Sequence, residues 1–173
     1  REYKKHITLT TNKRGVLSLD PSLGCSSGLK ENTKGCYGDC YAARYSTGYG
    51  YDFNKTVLRH FKDDKHIIKT IKQIIASDMP FVRMGTSGDP SENWEHTISI
   101  CEAISECEKE IVIITKHWNV LTNSQLDRIK KMDICINTSV SALDNADLLH
   151  KRITQYVRLK KHCRSILRIV SCN

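Results

Sequence analysis

The sequence predicts an α/β fold built on a parallel sheet. Two observations carry that expectation. From residue 81 onward, short apolar runs alternate with helix-period segments at the interval of successive βα units. One of those runs, Glu110–Thr115, is apolar almost throughout, as in a strand buried on both faces. A third observation concerns chemistry: a stretch rich in glycine and cysteine directly follows the first strand, and parallel α/β folds bind ligands at the carboxyl ends of their strands.

Residues 15–20 read as the first strand, with Pro21 and Gly24 punctuating its end. Residues 21–50 hold six of the nine glycines and three of the eight cysteines, and read as one long loop of the functional kind. At 66–76, Ile67, Ile68, Ile71, Ile74 and Ile75 fall at helical spacing, one apolar stripe toward a core. Phe81–Met84 is the second strand and ends in Gly85-Thr-Ser-Gly-Asp-Pro90. Residues 94–107 form a helix with Ile98, Cys101, Ile104 and Ser105 inward, followed by Glu110–Thr115 as the third strand. A helix at 123–132 starts from Thr122 or Asn123 as its cap. The fourth strand covers 133–139, a helix 144–162, and the fifth strand 165–171. No linker interrupts the series, so 1–173 is expected to be a single domain with its core from about residue 15.

Composition excludes other classes. The 173 residues carry 27 Lys and Arg against 19 Asp and Glu, and 39% apolar content rules out a disordered tail. No apolar run approaches the ~20 residues that span a bilayer. Residues 1–6 are basic with no apolar segment behind them, so no secretory signal is expected. With a chain too long to need disulfide staples, the eight cysteines are expected to be reduced thiols in a cytoplasmic compartment.

Cys25, Cys36 and Cys40 are separated by ten and three residues on the glycine-rich loop. Three thiolates on one loop can converge on an ion or cluster, with glycines folding the backbone round it. A structural zinc site ordinarily takes four protein ligands, and three cysteines leave one position open. An open position suits an iron–sulfur cluster with an exchangeable iron, and it suits a catalytic zinc with water equally well. Cys101, Cys107 and Cys135 fall at positions of burial, and Cys172 sits at the rim where the fifth strand ends.

The loop resembles that of the radical S-adenosylmethionine superfamily: three cysteines follow the first strand, with an aromatic (Tyr41) beside the last. Gly24-Cys25, Gly35-Cys36 and Cys40-Tyr-Ala42 resemble more closely a phage-associated subfamily with a GC…GC…CYA loop. That subfamily also has an SD-like turn, an LTK strand end and an SV…R segment, matched here by Ser87-Gly-Asp89, Ile114-Thr-Lys116, and Ser139-Val-Ser141 with Arg152. The cysteine spacing is wider than the superfamily's usual one, and five strands are one fewer than its usual barrel core.

The resemblance implies a partial TIM-like (βα) barrel and a [4Fe–4S] cluster on Cys25, Cys36 and Cys40. It also implies S-adenosylmethionine as cofactor and an external electron donor. The reaction would be reductive cleavage to a 5′-deoxyadenosyl radical, on a substrate the sequence does not name. By the same resemblance Gly85, Thr86, Ser87 and Asp89 would hold the methionine amino group, and Arg152 the carboxylate. Lys116 ends the third strand as a partner for a carboxylate or phosphate, or as a plain surface charge. Asn137, Ser139 and Ser141 alternate to one side of the fourth strand, where they can hydrogen-bond ribose or the cofactor carboxylate. Asp89 or Ser91 serves equally as the cap of the following helix.

The alternative function is a non-enzymatic zinc protein, and a third is a metal-dependent hydrolase. In the former, the basic run at 151–168 would contact nucleic acid; that run suits another anionic partner as well.

Overall fold

The computed structural model describes residues 5–31, 36 and 40–170. Its first turn is made by Asn12, whose Oδ1 accepts the backbone N–H groups of Arg14 (2.9 Å) and Val16 (3.1 Å). Gly15 completes it at φ +78°, a conformation that costs glycine nothing. The chain doubles back, and β1 (Leu9–Thr11) pairs antiparallel with β2 (Leu17–Leu19), Leu9 opposite Leu19.

From β2 the sheet grows in one direction through β5 (Phe81–Met84), β6 (Glu110–Thr115), β7 (Ile134–Ser141) and β8 (Arg164–Val170). Every pairing after the first is parallel, and the order β1-β2-β5-β6-β7-β8 keeps neighbours in sequence adjacent in space. The expected α/β class with a parallel sheet is thus present, but the strand count is corrected from five to six by the antiparallel β1.

One face of the sheet is covered by helices. Leu17, Leu19, Val82, Met84, Ile111, Ile113, Ile134 and Ile136 point into it and pack with Ile74, Ile98, Cys101, Leu126 and Leu159. Burying an Ile or Leu side chain stabilises by about 1.5–3 kcal/mol, so this shared core is the main driving force for the layer arrangement. The helices are α3 (Asp64–Ile75), α4 (Trp94–Ala103), α5 (Asn123–Ile129) and α6 (Ala146–Leu159). Each has its own cap: Asp63 accepts from His66 N, Asn93 from His96 N, and Asn145 from Leu148 N. Thr122 and Gln125 form a reciprocal capping box on α5, so Thr122 is the cap of the two expected candidates. No helix among the described residues is long and apolar enough to cross a membrane.

Three burial expectations need correction. In α3, Ile68 and Ile75 are 52% and 49% exposed; they lie about 100–120° round the helix from buried Ile74, too wide for one contact face. Ser105 is exposed because a 3-10 turn, Ser105–Cys107, replaces the last turn of the expected helix. In β6 only alternate residues are fully buried, Glu110, Val112 and Ile114 being half-buried on the face away from the helices.

The stretch expected to be one loop is also partly ordered. Ser22–Leu23 (β3) pairs antiparallel with Val57–Leu58 (β4), and helices occupy Ser26–Glu31 (α1) and Tyr41–Gly48 (α2). Gly35 and Cys172 lie outside the described residues.

Candidate metal centre at the carboxyl ends of the strands

Gly24 opens the cysteine segment at φ +80°, and its N–H donates to the Ser87 carbonyl at 2.9 Å. Gly24 and Gly88 form an isolated parallel bridge, so close that a Cβ on Gly88 would stand 2.4 Å from the Gly24 carbonyl oxygen. This backbone contact fastens the segment to the turn after β5. Glu92 fastens it a second time, accepting from Ser26 Oγ (2.8 Å), Ser27 N (2.9 Å) and Thr56 Oγ1 (2.9 Å). Tyr41 adds a third tie through its hydroxyl to the Thr86 carbonyl at 2.9 Å.

Those ties gather Cys25, Cys36 and Cys40 into one small apolar cluster with Ala42, Phe53 and Trp118. Gly28 packs closely against them: a Cβ there would lie 3.1 Å from Cys25 Sγ, 3.7 Å from the Trp118 ring and 3.8 Å from the Cys36 amide nitrogen. The three sulfurs are electrostatically unequal. Burial, with the Asp89 and Glu92 charges, pushes the Cys25 thiol up; it donates to Glu92 Oε1 at 3.7 Å. Cys36 is held protonated by the hydrogen bond it donates to Cys40, and then by burial. That same hydrogen bond, the Ala43 and Ala42 amides at the start of α2, and Lys116 bring Cys40 down to about 6. Of the three, Cys40 is the sulfur these surroundings favour most as a thiolate.

Among the described residues no three His, Cys, Asp or Glu side chains stand at the spacing of a single metal ion. Two buried donors beside the cysteine cluster also lack partners there: Trp118 Nε1 and Arg152 Nη2. Arg152 is 1% exposed, stacks its guanidinium 4.8 Å from the Trp118 ring, donates from Nε to the Lys116 carbonyl (2.7 Å) and pairs through Nη1 with buried Asp144. Soft sulfur donors and two orphaned buried donors beside them fit a resident anionic metal–sulfur group.

The turn after β5 is tightly used by the protein itself. Asp20, at the end of β2, accepts from Gly85 N and Thr86 N (both 2.9 Å) and from the Thr86 hydroxyl. Gly85 adopts φ +99° with the Ile114 carbonyl against it, leaving no room for a side chain. Asp89 accepts from Ser91 N (2.9 Å), Ser91 Oγ (2.7 Å), Thr115 Oγ1 (2.6 Å) and Lys116 N (2.8 Å). It caps the 3-10 turn Pro90–Asn93, while the cap of α4 is Asn93 and not the expected Asp89 or Ser91, because that turn intervenes before the helix.

Lys116 is half-buried near Cys36, Asp144 and Asp89, and burial lowers its pKa. Asn137 and Ser139 sit on the face of β7 away from the helices, Asn137 accepting from the Cys135 thiol at 3.5 Å. Ser141 is instead tied to its own turn, its N–H to Asp144 (3.0 Å) and its Oγ to Leu143 N (3.1 Å). Thus Cys25, Cys36, Cys40, Lys116 and Arg152 gather at one place, with the Gly85–Asp89 turn stitched alongside. Asn137, opposite Ile114, stands further down the sheet face, whereas Ser139 follows Thr138, the partner of Thr115, at the strand end.

Asp20 and the anchoring role of Glu92 were not read from the sequence. Asp20 had a signal: an acidic residue closing a strand just before Pro21 belongs to the same rim as the other strand-end residues. The basic run is largely engaged within the protein. Lys151 donates to the Trp118 carbonyl, Arg158 to Leu121 O and Asn123 Oδ1, and Arg164 pairs with Glu110. No protein-family model, curated protein or solved structure matches this chain.

Proposed function

We propose that the chain is a radical S-adenosylmethionine-type enzyme with an open (βα)-barrel core. Cys25, Cys36 and Cys40 would hold a [4Fe–4S] cluster. The observation that carries the reading is the clustering of these three cysteines at the carboxyl ends of parallel strands. When bound, the cluster and S-adenosylmethionine supply reductive cleavage of a carbon–sulfur bond to give a 5′-deoxyadenosyl radical, fed by an external electron donor.

The protein's residues bind, orient and shield. Cys40 would give up its proton most readily, and Cys25 and Cys36 would release theirs on binding. Arg152 offers Nη2 to the cofactor carboxylate from a position fixed by Asp144 and the Lys116 carbonyl. Trp118 and Phe53 exclude water from the sulfurs. Gly85, Thr86 and Ser87 line the same rim with their backbone. Asp89 acts by shaping that turn, since its oxygens are occupied by four protein donors.

Anaerobic reconstitution with iron and sulfide tests this. Iron uptake with loss on Cys25→Ala, Cys36→Ala or Cys40→Ala, retention in Cys101→Ala, and 5′-deoxyadenosine on reduction with S-adenosylmethionine are expected. Iron content indifferent to Cys40→Ala overturns it.

A further inference from the structure

The solvent face of α3 carries a repeat. Lys65-His-Ile-Ile68 recurs seven residues on as Lys72-Gln-Ile-Ile75. In each copy the third residue is withdrawn from water, Ile67 half-buried and Ile74 fully buried, while the fourth is left in it. Ile68 and Ile75 are 52% and 49% exposed. Half-buried Ile71 stands between them, so Ile68, Ile71 and Ile75 have the three-and-four spacing of a coiled-coil seam. At about 100° per residue, Lys65, Lys69 and Lys72 fall within about 60° of one another, along one side of that seam. A shallow groove of about 500 Å³ opens there, lined by two i, i+4 rows, Lys65–Lys69–Gln73 and Ile68–Lys72–Ala76. Rows of this kind are the ridges between which another helix sets its own.

The charge on this face is unanswered. Lys65, Lys69 and Lys72 are exposed, and none of them enters an ion pair among the described residues. Asp63 is committed to the helix cap, accepting from His66 N at 2.8 Å. Asp64 lies across the isoleucines from the lysines. These details select the occupant. Nucleic acid would use the lysines and leave Ile68 and Ile75 in water. An anionic bilayer would repel Asp64, on the other flank of the same apolar pair. The α3 of a second copy would set lysine against lysine. A helix whose apolar seam is flanked by Asp or Glu satisfies both features, covering the isoleucines and pairing the ammonium groups.

We infer that α3 is a docking site for an acidic amphipathic helix of a partner protein, seated on Ile68 and Ile75 with Lys65, Lys69 and Lys72 at its margin. The contact is one short helix long, so it belongs to the weak, transient class, and it does not depend on the cysteine cluster. Fluorescence anisotropy of the full chain with a labelled three-heptad peptide, Leu at a and d and Glu at e and g, tests it. The glutamates keep that peptide from pairing with itself. Saturable binding is expected, about tenfold or more weaker in the triple variant Lys65→Gln, Lys69→Gln, Lys72→Gln and in the double variant Ile68→Ala, Ile75→Ala, and unchanged in Lys13→Gln. All of these positions are exposed, and Gln and Ala are good helix formers, so the variants keep the fold. The same peptide with Lys at e and g should not bind. No binding of the Glu peptide, or equal binding by wild type and both α3 variants, overturns the inference. Weakening in the lysine variant alone marks a nonspecific charge contact and overturns it too. So does binding of phosphatidylserine vesicles or of a DNA duplex through the lysines in place of the peptide, which reassigns the face to that partner.

Discussion

Among the described residues Arg152 is the largest fully buried side chain, and its neighbours show how burying its charge is offset. Asp144 neutralises it, the Lys116 carbonyl accepts from Nε, and Trp118 offers its ring face. Removing the acid alone leaves an uncompensated charge in the interior, so Asp144→Asn should destabilise by about 3–5 kcal/mol. Replacing both partners, as Arg152→Met with Asp144→Leu, should cost clearly less in urea unfolding; equal costs would show that the pair is not coupled. His117 makes a different argument. It is fully buried, its Nε2 bonds Thr138 at 2.9 Å, and its Nδ1 has no partner among the described residues. Burial, then the Arg152 and Lys151 charges, lowers its pKa to about 3. An unfolded histidine takes up a proton near 6.5 while the folded one stays neutral, so the unfolded state binds more protons between those values. Stability should therefore fall as pH drops from about 6.5 toward 3, by a few kcal/mol in all. His117→Asn, chosen because φ is +51° there and Asn tolerates it, should flatten that part of the urea-midpoint profile. Parallel profiles in the two proteins would refute the assignment.

At the scale of elements, the link that matters is the backbone contact between the cysteine segment and the turn after β5. A methyl group on Gly88 would meet the Gly24 carbonyl at 2.4 Å, with no flexible side chain able to yield. Gly88→Ala should cost roughly 1–3 kcal/mol as overpacking. It should also lower iron uptake, because moving Gly24 moves Cys25; a variant with lowered stability and full iron uptake would show that the stitch does not position the cysteine. The sequence carried part of this. The glycine and cysteine clustering marked the segment, and strand ends rich in polar groups marked the rim. Which glycines touch was not legible, since Gly24 and Gly88 are far apart in the chain and only the parallel register of β2 and β5 brings them together. The antiparallel β1 has a signal in the sequence: Thr8-Leu-Thr-Thr11 followed by Asn12 and Gly15 is a hairpin pattern. Its residues are mostly exposed, so the apolar pattern that marks the other strands is missing there.

For the whole molecule, the alternation of apolar runs and helix-period segments was enough to yield the parallel sheet, because each βα unit leaves its next strand beside the last. It could not say how deeply each strand lies. β7 has a parallel neighbour on both sides and every residue but one fully buried, whereas β1 and β8 are the two edges and β8 has no fully buried residue. Opening an edge strand exposes little apolar surface, while opening β7 disrupts both the helix-side core and its two ladders. Amide hydrogen exchange should therefore be slowest in β6 and β7 and approach the global unfolding free energy there. The outward-facing amides of β8, which have no further strand to bond among the described residues, should exchange fastest among the parallel strands. Equal protection of β7 and β8 in the free protein would mean that the β8 edge is covered in solution and that the sheet does not end where its strand order does.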